Sequence, residues 1–130
     1  MKKLLSLLCF LTLSIYADHI HWLGNYDKAL QKAQKEQKHL MVLLVKKECL
    51  SCNAVIKNYF MDQEYVKHLN QKFVSVIVMY EGRESYPIEM FYSRSFPTLF
   101  FVNYQTESFL FEPLYGKSID KEAIEGILKD

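Results

Sequence analysis

The sequence predicts an α/β fold in which a central mixed β-sheet carries helices on both faces. Two nearly continuous apolar runs, residues 39–45 and 73–79, are typical of strands buried on both sides of a sheet. Helical patterns alternate with strands in the order β-α-β-α-β-α-β-β-α, as expected for a layered α/β domain. The 130 residues are half apolar and no repeat or linker divides them, so we expect one domain with a sizeable core.

The first half of the domain alternates strands with helices. Residues 21–23 can form a short strand, which Gly-Asn then interrupts. Asn25 is a favourable N-cap for a helix over residues 26–37, which is rich in Ala, Leu, Lys and Gln. The apolar strand 39–45 follows, and apolar residues then recur at helical spacing over residues 49–60. These features predict a strand-helix-strand-helix start.

The middle of the chain contains one more helix and one more buried strand. Asp62 is a candidate N-cap for a helix that runs to Leu69. The β-branched residues of the run 73–79 favour a strand. After a polar loop, the segment 87–93 is long enough for one or two helical turns.

The last part of the chain predicts a hairpin and a helix. We expect a strand at residues 98–103, a turn at 104–107, and an antiparallel return over residues 108–112. Asp120 is the expected cap of the final helix. The apolar side of that helix consists of four residues: Ala123, Ile124, Ile127 and Leu128.

The N-terminal segment, residues 1–17, differs in kind from the rest. It has Lys2 and Lys3, an apolar run over residues 4–15, and the small residue Ala17 at a plausible cleavage point. The apolar run is shorter than the roughly twenty residues that a membrane-spanning helix needs. We therefore expect a cleaved export signal, although an uncleaved anchor or a buried helix remain alternatives.

Cleavage would leave a domain over residues 18–130 in the periplasm. It would remove two lysines and no acidic residue, which changes the formal net charge from +1 to −1. No basic patch remains, so nucleic acid is not an expected partner. Cleavage would also remove Cys9, leaving Cys49 and Cys52 as the only cysteines.

The two remaining cysteines form a CxxC motif, and the residues around it restrict its chemistry. A disulfide between Cys49 and Cys52 closes almost no loop, so it would add little as a structural link. Asn53 stands where a c-type haem motif requires histidine. A zinc site would need two further ligands at suitable spacing, and the histidines do not supply it. We expect no cofactor and no metal. The histidines are His19, His21, His39 and His68.

A redox pair is the function that this motif supports best. It follows a buried strand and opens a helix, where unpaired backbone N–H groups and the helix dipole favour a thiolate. One helical turn brings Cys49 and Cys52 close enough to form a disulfide. We expect Cys49 to be exposed and Cys52 to point inward.

The chain resembles thioredoxin-fold proteins over nearly all of residues 18–130. The resemblance rests on CLSC after MVLLV, on SFPTLFFVN about forty-five residues later, and on Gly116 before the last helix. It implies that Pro97 is a cis-proline opposite the cysteines and that the backbone of Phe96 pairs with a substrate strand. The segments around the motif resemble, more narrowly, the C-terminal domain of DsbD and small SoxW-like periplasmic thioredoxins.

The sequence departs from the family pattern beside the cysteines. Glu48 replaces the usual Trp before the first cysteine, Leu43 occupies the position of the buried acid, and Ile56 that of a second acid in the DsbD-like domain. Glu48 would raise the pKa of the first thiol, whereas Lys46 and Lys47 would lower it. The usual proton acceptors for the inner thiol are therefore missing, and Glu48 or water could replace them.

The resemblance implies an exported thiol–disulfide oxidoreductase that acts mainly as a reductant. Its partners would be proteins with thiols or disulfides and a membrane thiol carrier that restores the dithiol, and we expect a monomer. An oxidase or isomerase of the same fold is one alternative, but only forty-four residues separate Cys52 from Pro97, too few for the helical insertion of DsbA-like oxidases. A redox-inactive binding protein is the other alternative.

Overall fold

A computed structural model describes residues 18–81 and 86–129, so the predicted export signal lies outside the described residues. Its sheet has four strands in the order β2-β1-β3-β4. β1 runs parallel to β2 and antiparallel to β3, and β4 is antiparallel to β3. The strands are β1 (His39–Val45), β2 (Phe73–Met79), β3 (Thr98–Val102) and β4 (Leu114–Tyr115).

Helices connect and flank these strands. The four α-helices are α1 (Tyr26–Glu36), α2 (Leu50–Val55), α3 (Gln63–Lys72) and α4 (Lys121–Lys129). A π-helical turn, Ile56–Phe60, continues α2, and a 3-10 turn, Gly116–Ser118, precedes α4. Within the described ranges, no helix has the length and apolar character needed to cross a membrane.

The three predicted helix caps are confirmed. Asn25 Oδ1 accepts a hydrogen bond from the Lys28 amide at 3.0 Å. Asp62 and Asp120 cap their helices in the same way, with acceptor distances of 2.9 Å in both cases. Each cap satisfies an amide that has no partner within the helix.

Burial on both faces of the sheet explains why the sequence of β1 is apolar throughout. Successive side chains of a strand point to opposite faces. Leu40, Val42 and Leu44 belong to one core, together with buried residues of α1. Met41, Leu43 and Val45 belong to the other core, which α2, α3 and α4 cover. The sheet is therefore buried on both faces, and the predicted fold class is confirmed.

Two predicted strands are much shorter than expected. At residues 21–23 only Leu23 pairs, through a parallel bridge to Val76. The antiparallel return predicted at 108–112 is confirmed only as a bridge between Phe109 and Val102, and no regular strand forms there. Pro113 follows directly, and a proline cannot donate to a ladder of backbone hydrogen bonds. Regular pairing with β3 resumes only at β4.

The segment 87–93 forms a single turn. The amides of Met90 and Phe91 both donate to the carbonyl of Pro87, at 3.1 and 3.3 Å. This agrees with the lower end of the prediction of one or two turns.

Candidate active site

The CxxC motif begins shortly after β1 ends. Cys49 is the N-cap of α2, and its Sγ accepts a hydrogen bond from the Cys52 amide at 3.1 Å. Cys49 and Cys52 form a disulfide, with their Cα atoms 5.2 Å apart. The predicted proximity of the two cysteines is therefore confirmed.

Both cysteines are buried in this disulfide form. Cys49 is 5% exposed and Cys52 is 2% exposed, so the expectation that Cys49 is exposed is wrong here. The reason is the capping geometry: Sγ of Cys49 folds back over the first turn of α2 to meet the Cys52 amide. A helix cap turned toward its own helix presents little surface to solvent.

The loop that leads into the motif has an unusual backbone conformation. Glu48 has a φ of 52°, in the left-handed region that residues other than glycine and asparagine rarely adopt. Lys46, Lys47 and Glu48 are all exposed. No ion pair within the described residues involves any of the three. The charged residues before Cys49 therefore face solvent, which agrees with a solvated rim around the motif.

Phe96 and Pro97 lie beside the motif, as predicted. The peptide bond between them is cis. The carbonyl oxygen of Phe96 accepts a hydrogen bond from Ser51 Oγ at 2.8 Å, which ties the loop to the CxxC motif. The carbonyl of Pro97 instead accepts from the Gly116 amide at 2.8 Å, at the end of β4.

Buried hydroxyl groups hold the loop before Pro97 in place. Ser93 Oγ accepts from the Ser95 amide at 3.1 Å and from Thr98 Oγ1 at 2.7 Å. Thr98 Oγ1 also lies 2.6 Å from the Ser95 carbonyl. Ser93 and Thr98 are 7% and 0% exposed, so these bonds are protected from water. Sequence reasoning missed this network, although clustered Ser and Thr before a proline are typical of a hydrogen-bonded turn.

The Phe96 ring is held between a cation and a second ring. Lys46 Nζ lies 5.2 Å from the ring centroid, within the range of cation–π attraction. The ring of Tyr80 lies 5.0 Å away on a tilted plane. These contacts place Lys46 beside Phe96, a position that the sequence does not reveal.

An open groove of about 520 Å³ lies between the motif and the Pro97 loop. Phe96, Pro97 and Tyr115 form much of its apolar wall, and Ser51 is a polar residue on the motif side. Its shape and its position can accommodate an extended peptide next to the cysteines.

A thioredoxin-like family model matches residues 21–103, which include the motif and the Pro97 loop. This chain belongs to the thioredoxin-like family. A search of curated proteins finds no significant match.

Solved structures agree with this assignment at the level of the fold. A thioredoxin from Thermus thermophilus is similar, with a TM-score of 0.71, 20% identity and 86% of each chain covered. The DsbH oxidoreductase is similar with a TM-score of 0.64, 17% identity and 89% of each chain covered. The narrower resemblance to DsbD and SoxW stays a prediction.

The described residues of this thioredoxin-like protein include no buried carboxylate near the cysteines. Leu43 is fully buried in the same core as Cys49 and Cys52, at the position where the family resemblance implies an acid. Within residues 18–81 and 86–129, the buried polar side chains are only Ser75, Ser93 and Thr98. Among the described residues, no buried carboxylate is therefore placed to accept a proton from Cys52.

The described part of this thioredoxin-like protein contains no cluster of three or more His, Cys, Asp or Glu side chains that could hold a metal ion.

Ser51 is a further site residue that the sequence analysis did not identify. The position of Ser51 inside the CxxC motif could have indicated a role in the site. Its bond to Phe96 could not be predicted, because Phe96 lies in a loop forty-five residues away.

Proposed function

We propose that this protein is an exported thiol–disulfide oxidoreductase that reduces disulfides in periplasmic proteins. The observation that carries the proposal is the Cys49–Cys52 disulfide, because Ser51, which lies between the two cysteines, lines a groove together with Phe96 and Pro97. A pair that can form and break one bond, next to a peptide-sized groove, has the parts needed for thiol–disulfide exchange.

The reaction proceeds by two exchanges. The Cys49 thiolate attacks one sulfur of the substrate disulfide, which forms a mixed disulfide and releases the other substrate sulfur as a thiolate. Cys52 loses its proton and attacks Cys49, which releases the second substrate sulfur. Two electrons pass from the protein to the substrate, and the released thiolates take up protons. A membrane thiol carrier would then return two electrons to the Cys49–Cys52 disulfide.

Reduction of insulin by dithiothreitol, with and without the protein, tests the activity. The protein should accelerate the reaction, and Cys49→Ser should abolish the acceleration. Cys52→Ser should instead accumulate mixed disulfides on Cys49. Asn53→Ser, at an exposed position directly after the motif, keeps both thiols, is the matched control and should change neither result. Trapping by Cys49→Ser rather than by Cys52→Ser would reverse the assigned roles.

The missing buried acid favours a second candidate, a binding protein that keeps the disulfide as a passive feature. Equilibration with glutathione or dithiothreitol buffers measures the reduction potential of the Cys49–Cys52 pair. A potential in the thioredoxin range, about −270 mV, supports a reductant, and one near −120 mV supports an oxidase. A pair that stays oxidised in every buffer and does not accelerate insulin reduction supports the passive protein.

Export is a separate part of the proposal. If residues 1–17 are a cleaved signal, the native protein should begin near Asp18. Intact-mass measurement of protein isolated from its own cells checks this. If the measured mass includes Met1–Ala17, the segment is not cleaved, and an anchored protein is supported instead of a free periplasmic one.

A further inference from the structure

Ser51 lies between the nucleophilic sulfur and the carbonyl of the groove. Its Oγ is 3.3 Å from Cys49 Sγ and 2.8 Å from the carbonyl oxygen of Phe96. One hydroxyl group is therefore within hydrogen-bond reach of an atom that changes charge during the reaction and of a backbone atom that a substrate strand would use.

Two acceptors compete for the single hydrogen of the Ser51 hydroxyl in the disulfide form. A serine hydroxyl has one hydrogen to donate. The sulfur of Cys49 in a disulfide and the carbonyl of Phe96 have none, so both can only accept. Cys49 Sγ already accepts from the Cys52 amide at 3.1 Å. A carbonyl oxygen is a stronger acceptor than a disulfide sulfur, so Ser51 donates to Phe96 and fills one of the two lone pairs of that carbonyl.

Reduction changes the balance between the two acceptors. An external dithiol gives two electrons and two protons to the Cys49–Cys52 disulfide and is itself oxidised to a disulfide. Above its pKa, the Cys49 thiol then loses its proton to solvent. A thiolate is a charged acceptor, and hydrogen bonds to charged groups are roughly twice as strong as neutral ones. The Ser51 hydrogen then has a better acceptor 3.3 Å away.

We propose that Ser51 is a redox-dependent positioning residue. Its hydroxyl caps the Phe96 carbonyl in the disulfide form and turns to the Cys49 thiolate in the reduced form. This leaves both lone pairs of the carbonyl open to an amide of a substrate strand. The role in substrate binding rests on the proposed function above. It would favour docking of substrate to the reduced protein and its release from the oxidised protein.

The carbonyl itself reports the switch. A carbon-detected NMR experiment that correlates the Phe96 carbonyl carbon with the Pro97 nitrogen isolates this one group. In the reduced protein, the Phe96 carbonyl shift should titrate together with Cys49, toward the value of a free carbonyl. In the disulfide form it should not titrate. In Ser51→Ala it should have the free-carbonyl value in both redox states.

Alkylation kinetics give a second readout on the nucleophile. Loss of the Ser51 hydroxyl should raise the pKa of Cys49 by about one unit, which lowers the thiolate fraction about tenfold at a fixed pH below the pKa and slows alkylation by a smaller factor. Ser51→Thr keeps a hydroxyl and should restore both readouts, since residue 51 is exposed and has room for a methyl group. Leu50→Ala, at an 85% exposed position of the same helix, should alter neither.

The nearby charges remain constant in this comparison. Ser51→Ala changes none of the three charged side chains near Cys49. Glu48 and Lys47 are exposed in the loop before Cys49, and Lys46 lies over the Phe96 ring. A titration of the Phe96 carbonyl that persists in Ser51→Ala would therefore be a field effect of the thiolate. That result, or an unchanged Cys49 pKa in Ser51→Ala, overturns the proposal.

The test does not depend on the proposed activity. The protein is reduced with dithiothreitol, so both readouts are obtained even if the protein reduces no insulin. Failure in the insulin assay with a carbonyl that titrates would reject the reductase and keep the switch. Activity with a Phe96 carbonyl that is the same in both redox states would reject the switch and keep the reductase.

Discussion

The hydroxyl of Tyr26 donates a hydrogen bond to Glu107 Oε1 at 2.9 Å. It links the first residue of α1 to the turn after β3, across eighty-one positions of sequence. Tyr26 is 2% exposed, whereas Glu107 is exposed, so the bond crosses from the core to the surface. The contact fastens the helix on one face of the sheet to the end of a central strand.

Removal of this hydroxyl should destabilise the protein. Tyr26→Phe keeps the ring, which packs on Phe91 at 5.1 Å. It deletes the hydroxyl, with its bond to Glu107 and a longer contact to Met90 Sδ at 3.9 Å. We expect a loss of about 1–1.5 kcal/mol in the free energy of unfolding, measured by urea denaturation. Tyr92→Phe, at a 61% exposed position, is the control and should have no effect. Equal midpoints for the two variants would show that the bond adds nothing to stability.

Stability should also fall at alkaline pH because of tyrosine ionisation. Burial raises the pKa of Tyr26 well above its usual value of 10.0, and the Glu107 carboxylate raises it further. Burial also raises the pKa of Tyr86. A raised pKa in the folded state means that the unfolded chain ionises first. The stability that the protonated Tyr26 and Tyr86 contribute is therefore complete below pH 10 and is lost as the pH rises above it.

Urea denaturation midpoints measured between about pH 9 and pH 11 check this loss of stability. The range brackets the pKa of an exposed tyrosine, which is about 10. The decline should be smaller in Tyr26→Phe than in the parent protein, because one ionising group has been removed. Lysines also lose their charge in this range, so the comparison is between the two slopes. Identical slopes would mean that Tyr26 ionises equally in the folded and unfolded chains.

Ser75 has a buried hydroxyl that lacks a hydrogen-bond partner among the described residues. It lies in β2 and is 3% exposed. Because an unpaired buried hydroxyl is unfavourable, Ser75→Ala should leave stability unchanged or raise it by up to about 1 kcal/mol. Ser93→Ala is the matched control, since Ser93 is buried but bonded, and it should destabilise by about 1–2 kcal/mol. A similar loss for both would reveal an unseen partner of Ser75.

Glu48 allows charge and backbone effects to be separated. A carboxylate next to Cys49 opposes thiolate formation by about 1 kcal/mol at 4 Å in water, which is less than one pKa unit. Both Glu48→Gln and Glu48→Asn should therefore speed alkylation of Cys49 near neutral pH, by less than about tenfold. Only Asn suits the φ of 52°, so only that variant should also gain stability, by up to about 1 kcal/mol.

A different result is expected if Glu48 acts as a base. If its carboxylate accepts the proton of Cys52, Glu48→Gln should leave alkylation unchanged and slow the decay of the mixed disulfide. The exposure of Glu48 favours the first outcome, because an acid in water is a weak substitute for a buried one. Mixed-disulfide decay measured on the same variant separates the two.

Local features of the sequence were sufficient to predict the helices and the buried strands. The caps Asn25, Asp62 and Asp120 act on amides two or three residues away, so their effect can be inferred from neighbouring residues alone. The continuous apolar run of β1 predicted burial on both faces for the same reason. The CxxC spacing placed two sulfurs one helical turn apart.

The short strand pairings could not be predicted in this way. The return after β3 was expected at residues 108–112, but regular pairing occurs at Leu114–Tyr115. Strand pairing is decided by contacts between distant segments and by which backbone amides are free to donate. Pro113 has no backbone N–H and so removes one of these donors. An alternating or apolar pattern is compatible with several registers.

Residues close together in the chain were enough to predict an α/β fold with two cysteines in position to exchange a disulfide. The surroundings of these cysteines are visible only in the folded chain: the burial of Cys49, the cation above Phe96, and the hydroxyl of Ser51 on the Phe96 carbonyl. The two groups of features differ in the sequence separation of the residues involved. Helix caps and CxxC geometry arise within one turn of chain, whereas the site joins α2 to a loop that the folded sheet brings beside it.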